Sequence, residues 1–431
     1  MFTTFRNAWK IDELRKKIIY TLLILLVFRL GSAIPVPFLA AEGLTLISGS
    51  GVNPLAYFDM LTGGAFSQAT LFALSVSPYI NASIIMQLLT VAIPALERIA
   101  KEGEQGKRVI NKITRYVGAG IAVALSIAYY FLLRNSGVLT YTTGFAGIFS
   151  AIVIILTYAA GAMLVIWLGE QIDVKGIGNG LSLLIFAGII SGMPQAFTIL
   201  RVMFENAMNG KYQFWVYIPL LIILALAVIV FIVILTNAER RIPVQYAKRV
   251  VGRKQYGGQS THIPIKVNMS GVMPVIFASS IVSIPTIILT FIPQTADNFF
   301  VSMLRAFDYD SFMYAIIYLL LILAFNYFYV AMQYNPIEMA NNIRKNNGAV
   351  PGLRPGKPTS DFISKVLGKI TFVGAMFLGV VAILPIALSA IMDMNISLGG
   401  TSLLIVVGVA LDVSRQLESY MLMRHHKGFL E

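Results

Sequence analysis

Hydrophobic and polar positions alternate along this chain in long blocks rather than with a short period. Apolar runs of about 17 to 25 residues have the length that crosses a hydrocarbon core of about 30 Å. Ten such runs occur, approximately at 18–34, 77–94, 116–133, 148–168, 181–200, 214–236, 272–292, 312–333, 370–391 and 401–421. The last is the weakest, because its apolar part ends near Leu411 and Asp412 and Arg415 follow. The pattern predicts an all-α polytopic membrane protein with polar loops between the spans.

One stretch departs from plain lipid-facing composition. Residues Gly63 to Thr90 read GGAFSQATLFALSVSPYINASIIMQLLT, where Gly63, Gly64 and Pro78 interrupt the apolar run and Ser75, Ser77, Asn81, Ser83, Gln87 and Thr90 recur. Irregular backbone at membrane depth is tolerated only where protein or a water-filled cavity satisfies its N–H and C=O groups. The stretch therefore predicts a half-helix over 63–74, a break, and a full helix after it, with a cavity at the break.

Composition agrees with a membrane class. Of the 431 residues, 57% are hydrophobic and 12% charged, about half the charged share of soluble domains. The chain has no cysteine, which excludes disulfides and thiol chemistry. Its net charge of +13 is unevenly placed: of the 33 Lys and Arg, all but Arg29, Arg134, Arg201, Lys211 and Arg305 fall in loops on the side of the termini. The positive-inside bias then places both termini in the cytosol. Arg6, Lys10, Arg15, Lys16 and Lys17 precede a span followed by Pro35 and Pro37, which is not a cleavable-signal pattern.

Two basic loops exceed what orientation requires. Loop 237–271 carries Arg240, Arg241, Lys248, Arg249, Arg253, Lys254 and Lys266 against the single acid Glu239. Its alternation at Val244, Tyr246 and Val250, with Gly257-Gly258, predicts a protruding hairpin. Loop 334–369 sets Arg354 between Pro351-Gly352 and Pro355-Gly356, a turn chemistry that presents the guanidinium at a tip. Such tips suit phosphate-rich RNA or an acidic protein surface, with affinity that falls as salt rises.

Other chemistry is sparse. Gly176-Ile177-Gly178-Asn179-Gly180 lacks the Lys-Ser/Thr of a phosphate loop and leads straight into a span, so it reads as helix-start geometry. His425 and His426 sit in a basic tail, and neither metal nor cofactor is expected. A coupled solute transporter needs ionisable groups at mid-depth, where only Arg29 is available. An intramembrane protease needs a nucleophile and base, yet His262, His425 and His426 all fall on the cytosolic side.

The segments SPYINASIIMQLLT, WLGEQIDVKGIGNGLSLLIFAGI, AKRVVGRKQYGGQSTHIPIKVNMSGVMPVIFASSI, NPIEMANNIRKNNGAVPGLRPGK and GGTSLLIVVGVALD resemble, in order and spacing, those of the bacterial SecY family, central subunits of the protein-translocation channel. The resemblance implies ten helices in two inverted five-helix halves around an hourglass pore. Residues 1–200 would form the first half and 201–431 the second, with prolines Pro78 and Pro274 breaking the second span of each.

The resemblance also implies a protein-conducting channel and not an enzyme, in the bacterial plasma membrane. A pore ring would fall on Val76, Ile80, Leu181, Ile185, Ile276 and Ile405. Aliphatic side chains there dewet an empty pore and yield to a passing chain. A plug would comprise the half-helix 63–74, with Gly63, Gly64, Phe66, Leu71 and Phe72, held by only a few apolar contacts. A lateral gate would place Ser83, Gln87 and Thr90 against Ser279 and Ser280, with Asn179 nearby. The basic loops would dock a motor through Arg354, with Lys248 and Arg249 second. The implied partners are SecE-like and SecG-like small membrane subunits, the SecA ATPase, the ribosome, secretory preproteins bearing signal sequences, and membrane lipids.

Overall fold

The computed structural model describes residues 2–40, 59, 62–210, 212–246, 249–251, 254–256, 260–291, 311–392 and 400–427. Most of it is helical. In chain order the helices are α1 (Phe2–Trp9), α2 (Asp12–Gly31), α3 (Ser77–Ala92), α4 (Pro94–Lys101), α5 (Glu104–Asn135), α6 (Gly144–Lys175), α7 (Gly180–Met208) and α8 (Phe214–Asn237). They continue as α9 (Met273–Phe291), α10 (Phe312–Gln333), α11 (Pro336–Lys345), α12 (Lys357–Met392) and α13 (Gly400–Lys427). Each of the ten apolar runs coincides with one of these helices. Among the described residues, five helices are long and apolar enough to cross a membrane, or six if α3 and α4, bent by 100° at their junction, count as one span. The chain is a multi-pass membrane protein.

The prolines act at helix starts rather than as breaks. Pro78 lies in the first turn of α3, where its missing N–H costs nothing and its fixed φ suits the helix. Pro274 follows the first residue of α9 in the same way. The bend after α3 falls instead at Ile93, where the extended residue before Pro94 ends one helix and Pro94 begins the next.

Large residues pack the interior in two main clusters. One joins α2, α3, α6, α7, α8, α9, α10, α12 and α13 through residues such as Phe28, Leu184, Phe277, Tyr318 and Leu378. The other joins α5 and α6 to the segment before α3, through Phe66, Tyr129, Ile154 and Tyr158. At the end of the bundle, Arg415 of α13 donates to the Thr236 carbonyl and Asn237 Oδ1, both at 2.8 Å. It thereby satisfies the C-terminus of α8, whose dipole favours a cation.

The expected hairpin in loop 237–271 is present. Strand β1 (Glu239–Tyr246) pairs antiparallel with β4 (Ser260–Lys266), and β2 (Arg249–Val251) pairs with β3 (Lys254–Tyr256) nearer the tip. Gly257 and Gly258 lie outside the described residues. Nothing in the residue pattern marks the other basic loop as joining this hairpin. Strand β5 (Gly348–Ala349) adds to the free edge of β1, giving the order β4-β1-β5. Ile242, Val244, Ile265, Ala340, Ile343, Val350, Ile363 and Leu367 form a shared apolar core beneath the sheet.

Candidate functional site

The segment 63–76 is not the half-helix its apolar content suggests. It is a series of turns, and its dihedral angles give the reason: Gly63 (φ 66°), Gly64 (87°), Ala69 (48°) and Ser75 (44°) are all left-handed. Each such residue interrupts an α-helical ladder. Short-range bonds replace it, such as Ala69 N–H to Phe66 O at 3.1 Å and Thr70 N–H to Ala65 O at 3.1 Å.

The turns seat deeply among the helices. Phe66 (7% exposed), Phe72 (2%), Ala69, Ala73 and Leu74 are buried. Phe72 stacks on Phe28 of α2 with centroids 5.7 Å apart, and full burial of that ring alone contributes about 2 kcal/mol. Backbone bonds add to this. Leu71 N–H donates to Ile34 O at 2.9 Å, Tyr129 Oη to Phe66 O at 2.5 Å and Tyr158 Oη to Ala69 O at 3.0 Å. Arg29 bonds both Gly63 O (3.3 Å) and Ser191 Oγ (3.1 Å). The expectation of a loosely held segment counted side chains alone. An irregular backbone offers carbonyls that a helix would have consumed, and here they are bonded.

Asp59 closes the start of this segment, its carboxylate accepting Ser67 N–H at 2.7 Å. Burial raises its carboxyl above the ordinary carboxylate value, opposed by that hydrogen bond.

Directly after the turns lie the aliphatic residues. Val76, the N-cap of α3, Ile185 of α7, Ile276 of α9 and Ile405 of α13 are buried in one cluster, with Ile80 and Leu181 packed against it. Five of the six come from helices, on four different elements, and none carries a charge or hydrogen-bonding group. The tight turn 176–179 sets α7 against α6: Asn179 caps α7 by accepting Ser182 N–H at 3.1 Å, and Asp173 accepts Gly180 N–H at 2.7 Å. This is the helix-start role expected of the glycine-rich run.

The polar residues of α3 and α9 divide by partner. Thr90 donates to Met86 O at 2.7 Å within its own helix. Ser279 and Ser280 both donate to Ile276 O, at 2.8 and 2.9 Å. Gln87 bonds Ser83 Oγ at 3.4 Å and accepts from Tyr329 Oη of α10 at 2.6 Å. The Gln87 bond thus ties α3 to α10.

On the cytosol-predicted end, Arg354 is exposed between Gly352 (φ 82°) and Gly356 (φ 116°). Its carbonyl accepts from Thr359 Oγ1 at 2.8 Å, which ties the turn to the start of α12. Arg249 opens β2, whereas Lys248 lies outside the described residues.

The SecY family model matches residues 70–414. This chain belongs to the SecY family. The protein translocase subunit SecY of Thermotoga maritima is 43% identical over 438 residues, covering 100% of this chain and 98% of that protein. That of Bacillus subtilis is 41% identical over 447 residues, covering 100% of both. A solved structure described as that of a protein conducting channel superposes with TM-score 0.61 at 19% identity, covering 94% of this chain and 92% of that one. Sec61 in the canine ribosome-channel complex gives TM-score 0.59 at 18% identity with the same coverage. At such identities the two structures show a shared fold.

Against the SecY-family expectations, the geometry adds residues that sequence reading passed over. Tyr129, Tyr158 and Ser191 meet the 63–76 segment, and Tyr329 meets Gln87. Tyrosines within apolar helices read as ordinary packing residues; only a polar partner at the hydroxyl distinguishes them.

Proposed function

We propose that this chain is the central subunit of a channel that conducts unfolded secretory polypeptides across the membrane and releases hydrophobic segments sideways into lipid. The observation that carries the proposal is the burial of Val76, Ile185, Ile276 and Ile405, from four different elements, in one apolar cluster that also takes in Phe72 of the 63–76 turns. A bottleneck for polypeptide must accept every type of side chain while retaining ions. Aliphatic groups meet both demands, since they dewet when empty and impose no fixed charge.

In this reading Val76, Ile80, Leu181, Ile185, Ile276 and Ile405 form the ring, and the 63–76 segment is the plug. The halves 1–200 and 201–431 part between α3 and α9 to admit a signal helix. Polar contacts in membranes contribute only about 0.6 kcal/mol each, so such a seam closes and still opens. Both termini and the β4-β1-β5 unit face the cytosol of a bacterial plasma membrane, where Arg354, Lys248 and Arg249 engage a driving partner, the ribosome or an ATPase such as SecA. Small SecE-like and SecG-like subunits complete the assembly.

The test is site-specific crosslinking from positions 80, 185, 276 and 405 to an arrested secretory chain. The expected result is adducts at all four positions only while the chain is in transit. Crosslinks to lipid instead of polypeptide at these positions would overturn the reading.

A further inference from the structure

We propose that Tyr129 and Tyr158 form a hydroxyl latch that holds the plug closed by its main chain rather than by its side chains. The inference rests on the plug reading above and adds to it the groups that set how readily the plug leaves.

Both tyrosines are buried, at 3% and 0% exposure, on α5 and α6. Their rings meet edge-on with centroids 4.9 Å apart, and Tyr129 packs on Phe66 at 4.6 Å. Ring contact fixes where each hydroxyl points. Tyr129 Oη donates to Phe66 O at 2.5 Å and Tyr158 Oη to Ala69 O at 3.0 Å. These two carbonyls lie three residues apart in a segment whose left-handed Ala69 breaks the helical ladder. Among the described residues no backbone N–H reaches Ala69 O, so Tyr158 is its donor. A buried carbonyl left without a donor is costly, so Tyr158 specifies the docked position at Ala69 O, and Tyr129 adds a second donor to Phe66 O beside Ala69 N–H.

The helix face around the latch is shaped for main-chain approach. Gly161 follows Tyr158 by three residues, on the same face of α6. A Cβ at Gly161 would stand 2.2 Å from Leu71 O. Ala122 and Ala162, both fully buried, belong to the same cluster as Ala69 and Ala73. Small residues bring the plug backbone close, and the tyrosines reach it from the sides. Water offers the same carbonyls equivalent hydrogen bonds once the plug moves out, so the latch is reversible.

The test uses the full chain reconstituted with its small membrane subunits, carrying Tyr129→Phe, Tyr158→Phe or both. Phenylalanine keeps the ring contacts and removes only the hydroxyl. Idle ion conductance is expected to rise by roughly two- to ten-fold for each substitution, while transport of a preprotein with an intact signal continues. In a background lacking residues 63–72 the same substitutions should add nothing. The chain contains no cysteine, so Ser67→Cys supplies a clean second readout, and its labelling by an impermeant maleimide should accelerate in the phenylalanine variants.

Unchanged conductance and labelling in the double variant, with the deletion itself leaky, would overturn the latch and leave the plug reading standing. An equal rise in the deletion background would overturn it too, since the tyrosines would then act on helix packing. A deletion that does not leak would remove the plug reading and the latch together.

Discussion

The Tyr329 hydroxyl donates to Gln87 Oε1 at 2.6 Å, joining helices whose contact residues lie 242 positions apart in the chain. Gln87 sits on α3 and Tyr329 four residues before the end of α10, so the bond ties the first half of the chain to the second. In the proposed channel, a hydrophobic signal helix entering beside α3 would have to displace it.

Removing either partner should loosen that tie. Gln87→Leu and Tyr329→Phe are each expected to raise secretion of a reporter with a defective signal sequence. In a double-mutant cycle the pair should show coupling of about 0.6 kcal/mol, and no more than about 2. Strict additivity would assign the two residues to separate roles.

Backbone approach predicts a contrast between two glycines. Gly161→Ala would place a methyl group 2.2 Å from Leu71 O, whereas a Cβ at Gly192 meets nothing within 4 Å. Gly161→Ala is expected to raise idle conductance several-fold, and Gly192→Ala to leave it unchanged. Equal behaviour of the two would remove the steric account.

Acidity should tighten the closed channel. Burial raises the Asp59 carboxyl above its ordinary value in the docked segment, so docking is favoured with the proton bound. That contribution is fully present below the ordinary carboxylate pKa and is lost as pH rises through the raised one. Lowering pH on the outer side is expected to reduce idle conductance, and Asp59→Asn to abolish the dependence, as single-channel recording at stepped pH would show.

Charge reversal at the exposed turn should separate docking from assembly. Arg354→Glu is expected to slow partner-driven translocation in membrane vesicles by tenfold or more at low salt, with the difference shrinking as salt screens the contact. Membrane insertion of the channel should be normal. An unaltered rate would dissociate Arg354 from docking.

Spans were legible in the sequence because a bilayer imposes one length and one polarity on every crossing helix. Val244, Tyr246 and Val250 were readable as strand residues for a similar reason, since a one-sided sheet imposes a period of two. The turns at 63–76 were not, because Ala69 and Ser75 adopt left-handed angles that no local preference announces and that tertiary contacts stabilise. Pairing of Gln245 with Ala349 was invisible as well, since it joins distant loops across a two-residue strand. Hydroxyl partners of Tyr129, Tyr158 and Tyr329 depend on helix rotation, which periodicity in an all-apolar helix leaves undetermined.

Strand β5 on the edge of β1 has a mechanical corollary. The sheet it completes is continuous with α8 through Glu239, with α9 through the short link 267–272, and with α10 through α11. A load applied at the Arg354 turn therefore has a stiff, few-residue path to the helix that bears Ile276 and to the one that bears Tyr329. In the proposed channel, a push on that turn and the parting of helices within the bilayer would be one lever stroke.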